Sequence, residues 1–130
     1  MTFDCGSRIW RLDSILQILC EHQVQATFFL VGSEIKTRPD IPRAILKNSH
    51  ALGNHSFSHP YFLTLSDEEI LNELRKTDSI VGWSLKYFRP PHGAIDSRVR
   101  KLIEEAGYLI VIWTIDPIDW RKGQTAEKNY

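Results

Sequence analysis

The run Ala26-Thr-Phe-Phe-Leu-Val31, closed by Gly32, constrains this chain more than any other stretch. Apart from Thr27 it is apolar throughout, with no alternating polar face, so the strand it predicts is buried on both sides. Such strands belong to parallel sheets covered by helices, and the remaining sequence supplies both kinds of element. Ile9, Leu12, Ile15, Leu16 and Leu19 recur at helical spacing, with Ser7 as N-cap. Asp40 caps a second helix with Pro42 in its first turn and Ile41, Ala44, Ile45 and Leu46 on its inner face. Ser66-Asp-Glu-Glu69 is a capping box, followed by a buried stripe of Ile70, Leu71, Leu74 and Val81. Asp96 caps a last helix whose inner face is Val99, Leu102, Ile103 and Ala106, and Gly107 ends it. Between these lie a strand end at residues 1–4, short strands at 51–55 and 87–89, and the strongest strand, Tyr108–Ile115. Strand and helix alternate with short connections, which predicts parallel strands joined by crossover helices.

At 130 residues and 15.1 kDa the chain is one domain by length and large enough for a real core. Sixteen basic residues balance sixteen acidic ones, so long-range attraction to nucleic acid or an anionic membrane surface is not expected. No apolar run approaches the ~20 residues of a membrane span, and no signal peptide is read at Met1-Thr2-Phe3-Asp4. The two cysteines set no disulfide framework; both are expected reduced, with Cys20 packed on its helix. Thr2-Phe3-Asp4 reads as the second half of a strand and residues 125–130 as a helix beginning, so the chain is expected to be the middle of a longer domain.

The chemistry-bearing residues fall just after strands: Asp4-Cys5, His55 to His59, Arg89 to Gly93, and Asp116 to Trp120. In a parallel barrel these ends share one rim, where active sites of that architecture sit. Two imidazoles four residues apart, His55 and His59, can close on one divalent cation; alone, they could equally be loop histidines bonded to nearby backbone. Arg89, between Phe88 and two stiffening prolines, is read as the partner that orients Asp4 rather than as a surface ion pair. Cys5 could be a thiolate ligand or a small buried hydrophobe. Trp113, inside its strand, is read as core.

Four segments, Thr2-Phe3-Asp4, His55-Ser-Phe-Ser-His59, Arg89-Pro-Pro-His-Gly93 and Asp116-Pro-Ile-Asp-Trp120, together resemble the polysaccharide deacetylase family. This is the NodB-homology group, carbohydrate esterase family 4, and the likeness runs over nearly the whole chain. The resemblance implies an α/β fold, a distorted (β/α) barrel truncated at both ends, with residues 1–130 an incomplete catalytic domain lacking its final helix and strand units. It implies a metal-dependent hydrolase that removes acetyl groups from N-acetylated polysaccharide such as peptidoglycan or chitin. By it, His55 and His59 are metal ligands, with Cys5 standing where a ligand aspartate is usual. Asp4 matches the catalytic base, and Asp119 the residue that tunes an acid histidine lying beyond residue 130. Arg89 is the orienting group, and Pro91, His92, Gly93 and Trp120 line the substrate groove, Trp120 being otherwise a core-capping residue. The implied cofactor is zinc, with cobalt, nickel or manganese as alternatives, and family members are usually secreted or associated with the cell envelope.

Two rival classes stand beside this reading. Cys5 in a ligand position points to a sugar-binding module impaired in turnover, and the same rim could serve a C–N hydrolase of small amides. Without the acid histidine, little activity is expected of residues 1–130 alone, since general acid catalysis is typically worth ~10²–10⁴-fold. Open strand edges at 1–4 and 108–115 predict marginal stability or self-association.

Overall fold

A computed structural model describes residues 1–5 and 11–116. Five parallel strands, β1 (Thr2–Cys5), β2 (Thr27–Leu30), β3 (Ala51–Asn54), β4 (Tyr87–Phe88) and β5 (Leu109–Ile110), lie side by side in sequence order. Helices α1 (Leu12–Glu21), α2 (Gly32–Ile35), α3 (Ile41–Lys47), α4 (Asp67–Val81) and α5 (Ser97–Glu105) connect them. A sheet wound in one direction, strand by strand, is an arc of a (β/α) barrel rather than a doubly wound sheet, in which the strand order reverses.

Register sorts the residues onto two faces, because Cα partners in adjacent parallel strands point the same way. Phe3, Phe28 and Leu52 stand in line, as do Cys5, Leu30, Asn54, Phe88 and Ile110. These residues meet the helices, Asn54 through hydrogen bonds and the others through apolar packing. One cluster joins Phe28, Leu30 and Leu52 to Leu12, Leu16 and Leu19 of α1 and Ile41 and Ile45 of α3, with Phe3 and Cys5 packed against it. A second joins Phe88 and Tyr108 to Ile70 and Leu74 of α4 and Val99 and Ile103 of α5. Asp4, Phe29, Gly53, Tyr87 and Leu109 belong to the opposite, barrel-interior face.

The predicted caps of α4 and α5 are present. Ser66 Oγ accepts from the Glu69 amide while Glu69 reaches back to the Ser66 amide, and Asp96 accepts from the Val99 amide at 2.8 Å. Asp40 occupies the N-cap position of α3 but makes no side-chain cap bond; its carboxylate pairs with Arg38 instead. Ala106 and Leu46 are exposed rather than inward, and Cys20 is exposed on α1 rather than packed. The short helix α2, unforeseen in a stretch read as loop, follows β2 directly. Ser7 and Ile9 lie outside the described residues, and α1 is described from Leu12 with Arg11 at its N-cap.

β5 is far shorter than the Tyr108–Ile115 strand read from composition. Its partner β4 ends at Phe88, and beyond Arg89 come Pro90 and Pro91, which have no amide to continue a ladder. The last bond of that ladder runs from the Val111 amide to the Phe88 carbonyl, 2.8 Å.

Candidate active site

Three strand ends build one site on the interior side. At β3 the chain needs Gly53, since a Cβ there would stand 2.5 Å from the Phe29 ring. Asn54 points the other way, to α4, its Nδ2 donating to the Leu74 carbonyl and the Asp78 carboxylate while its Oδ1 accepts from the Ser56 amide. Asn54 thus fixes where the strand stops and the loop begins, and His55 emerges on the interior side.

From β1, Asp4 meets Arg89 from the end of β4. Arg89 Nη1 donates to Asp4 Oδ1 at 2.6 Å, Nη2 to Thr2 Oγ1 at 2.9 Å, and Nε to the Val111 carbonyl at 3.2 Å. Its guanidinium lies 4.2 Å from the Phe29 ring centroid and 5.6 Å from that of Trp113. The side chain is only 3% exposed, whereas that of Asp4 is 36% exposed. Arg89 is therefore a fixed, sheltered fork, and Asp4 offers its second oxygen to solvent and to the site.

That second oxygen faces His55. The His55 ring is buried, and its Nδ1 lies 2.7 Å from the Arg89 carbonyl oxygen. An oxygen of that kind only accepts, so Nδ1–H donates. Burial, opposed by Asp4, pushes the His55 pKa down to about 4, so the ring is neutral near pH 7. Its Nε2 then carries a lone pair, pointed at Asp4 Oδ2 across 3.8 Å. Two acceptor atoms face each other over a gap too long for a hydrogen bond but wide enough for a cation.

The His59 ring lies edge-on to His55, centroids 4.9 Å apart, and His92 lies edge-on to His59 at 4.7 Å. Burial first and then His92 lower the His59 pKa, which also favours a neutral ring. Ser56, His59 and His92 all adopt left-handed backbone (φ 68°, 59° and 59°), a conformation that costs non-glycine residues on the order of 1 kcal/mol each. Such outliers concentrate where surrounding structure holds a functional loop in place.

The Pro90-Pro91 segment turns at Pro91–Gly93, a 3-10 turn in which the Gly93 amide donates to the Pro90 carbonyl. Gly93 sits at φ +65°, and a Cβ on it would meet Trp113 at 2.9 Å. Trp113, read from sequence as core, is half-buried at this rim against Arg89 and Gly93. It lies beyond the end of β5, which stops at Ile110. Tyr61, which no sequence signal singled out, stands exposed with its ring 6.1 Å from that of His92.

Cys5 is not brought to this group. It is in register with Leu30 and packs with Phe3 against the helix-side cluster, on the opposite face from Asp4. Burial, reinforced by Asp4 and Glu34, pushes its thiol pKa up to about 12, which keeps it protonated. Its surroundings are those of a half-buried apolar side chain on the helix side of the sheet. Among the described residues, no three His, Cys, Asp or Glu side chains form a ready-made metal cage. Asp119 and Trp120 lie outside the described residues.

Asp4, Arg89, His55 and His59 thus stand together at one rim of an arc of parallel (β/α) barrel. The polysaccharide deacetylase family model matches residues 1–111, and the chain belongs to that family. It is 37% identical over 131 residues to a peptidoglycan-N-acetylglucosamine deacetylase of Bacillus cereus, covering 98% of this chain and 47% of that protein. It is also 37% identical to chitin deacetylase 1 of Saccharomyces cerevisiae, over 75% of this chain and 34% of that one. Among solved structures, a peptidoglycan N-acetylglucosamine deacetylase bound to an N-hydroxybenzamide superposes with TM-score 0.91 at 36% identity, over 98% of this chain and 61% of that chain. A CE4 family pseudoenzyme from Bacillus anthracis superposes with TM-score 0.90 at 32% identity, over 98% and 47% of the two chains. The chain spans about half the length, or less, of these curated relatives. No helix among the described residues is long and apolar enough to cross a membrane.

Proposed function

We propose that residues 1–130 carry the N-terminal and central part of a divalent-metal-dependent deacetylase domain acting on N-acetylated polysaccharide of the peptidoglycan or chitin kind. The observation that carries this reading is the pair of facing acceptors, His55 Nε2 and Asp4 Oδ2, with His59 alongside. The donor chemistry fits a cation. His55 is a neutral imidazole whose far nitrogen is tied to a backbone carbonyl, as metal-ligating histidines are. His55 and His59 would hold the ion, zinc by preference, with cobalt, nickel or manganese as alternatives. When bound it would polarise the acetyl carbonyl and bring a water's acidity near neutral pH.

The chain's own groups do the rest. Asp4 Oδ2, the oxygen that Arg89 Nη1 does not engage, takes the proton of the attacking water. Arg89 acts as the positioning group, since its three hydrogen bonds leave Asp4 one orientation. The His92 amide is the donor assigned to the developing oxyanion, because Pro90 and Pro91 have none. Pro91, His92 and Gly93 line the sugar groove, and the roles expected of Asp119 and Trp120 fall on residues outside those described. Acetate release from chitooligosaccharides or peptidoglycan fragments, dependent on added Zn²⁺ or Co²⁺ and abolished by a chelator, is the result expected of a chain extended past residue 130. A chain that neither binds a divalent metal nor releases acetate would end the proposal.

A second reading rests on Cys5, whose position with the helix-side cluster leaves the site two imidazoles and, from β1, only Asp4, the group the first reading uses as the base. It makes this a sugar-binding relative without turnover. Oligosaccharide binding that survives chelation, with no acetate formed, selects it.

A further inference from the structure

From the Ser56 carbonyl to the His59 amide, the loop bearing His59 has five backbone groups to satisfy and two left-handed residues, Ser56 and His59, to hold. Its carbonyls are taken from one side: the Gly32 amide donates to the Ser56 carbonyl (3.0 Å) and the Ser33 amide to the Phe57 carbonyl (2.9 Å), both from α2. Its amides are taken from the other side by a single residue of α4. Glu73 Oε2 accepts from the amides of Phe57 (2.9 Å) and Ser58 (2.7 Å), and Oε1 from Ser58 Oγ at 3.0 Å. The remaining amide, that of His59, donates to Ser56 Oγ at 3.0 Å. Phe57 is half-buried and Ser58 exposed, so Glu73 supplies the Phe57 amide a partner it needs and ties down the Ser58 amide in place of water.

We propose that Glu73 is a positioning residue: its carboxylate fixes residues 57 and 58 so that the strained turn through Ser56 and His59 presents the His59 ring to His55. This rests on the deacetylase reading for its purpose, but not for its geometry. Glu73 touches neither imidazole and acts only through the backbone. It is held in turn by α4, which also anchors Asn54 through the Leu74 carbonyl and Asp78. One helix therefore sets both ends of the histidine segment. Outer partners of this kind typically alter metal affinity ~10–100-fold when removed.

The test compares Glu73→Ala, Glu73→Gln, Glu73→Asp and Ser66→Ala with the unaltered chain. Three quantities are followed: amide exchange at Phe57 and Ser58, the NMR signals of the His55 and His59 rings without metal, and the Zn²⁺ dissociation constant. Glu73→Ala should speed exchange at both amides at least ~10-fold, move the His59 ring signals, and weaken Zn²⁺ ~10–100-fold. Glu73→Gln keeps one oxygen for both amides and an NH₂ for Ser58 Oγ, so it should restore all three to within ~3-fold. Glu73→Asp, a methylene too short, should fall between, and serves if the alanine variant does not fold. Ser66→Ala removes the capping box of the same helix and should lower Tm while leaving the His59 signals and Zn²⁺ affinity unmoved. Unchanged amides and His59 signals in Glu73→Ala, or equal changes in Ser66→Ala, overturn the proposal. Should the unaltered chain not bind Zn²⁺, the deacetylase reading falls, and the metal-free exchange and ring signals still decide the role of Glu73.

Discussion

The contact between Asp4 and Arg89 joins residues 85 positions apart, so its strength measures how firmly the first strand is locked to the fourth. Replacing Arg89 by Leu removes three hydrogen bonds and the guanidinium over Phe29 while keeping apolar volume. Breaking a fully buried ion pair from one side costs 3–5 kcal/mol, but Asp4 is 36% exposed and water can replace part of what it loses. The expected cost is therefore about 2–3 kcal/mol. Asp4→Ala strands a guanidinium that is 3% exposed and should cost about 3 kcal/mol. Because each single change already forfeits the shared bond, the double variant should be less destabilised than the sum by about 2 kcal/mol, roughly a 30-fold factor. Urea unfolding of the four proteins in the presence of a chelator gives this coupling directly. Repeating it in 0.5 M NaCl should change the value little, since one partner is out of reach of the ionic atmosphere. A coupling below about 0.5 kcal/mol, or one halved by salt, would show that the pair is solvated and that Arg89 does not hold Asp4.

Other expectations follow from single contacts. Thiol labelling of the folded chain should modify exposed Cys20 first and Cys5 at least ~100-fold more slowly, since burial raises the Cys5 pKa to about 12; comparable rates would bring Cys5 out to the rim. Cys5→Ala should leave Zn²⁺ affinity within ~3-fold, and a large loss would restore Cys5 as a ligand. His55 is neutral when folded down to pH about 4 but takes a proton near 6.5 when unfolded, so its contribution is complete above pH 6.5 and lost as pH falls toward 4. The metal-free chain should lose up to about 3 kcal/mol across that window, with His59 acting in the same direction; a flat profile that is identical in His55→Gln would refute it. Gly53→Ala should cost about 1–3 kcal/mol, because Phe29 cannot yield without disturbing Arg89, and a neutral result would show slack beneath the site.

Local signals were the legible part. The capping residues of α4 and α5, the apolar stripes, the doubly buried strand β2 and the strand-end placement of Asp4, His55 and Arg89 could be read from spacing alone, because each depends on neighbours within a few residues. The length of β5 could not, since an apolar run states only that a strand is permitted, and Pro90 on the neighbouring strand is what ends it. Trp113, past that end, stands at the rim beside Arg89 for the same reason. Glu73 looked like one more exposed acid on a helix, and its role emerges only when α4 is folded against the histidine loop.

By itself, then, the order of residues along the chain determined which elements form, that they alternate, and which side chains stand at the strand ends. The tertiary structure decided which of those side chains face one another. Adjacent residues of a strand point to opposite faces, so Asp4 and Cys5, neighbours in sequence, part company as soon as β1 takes its register on β2. Pairing with Phe29 sends Asp4 toward Arg89 and His55, and pairing with Leu30 sends Cys5 into the helices. No local pattern contains that choice, because it is made by a strand more than twenty residues away.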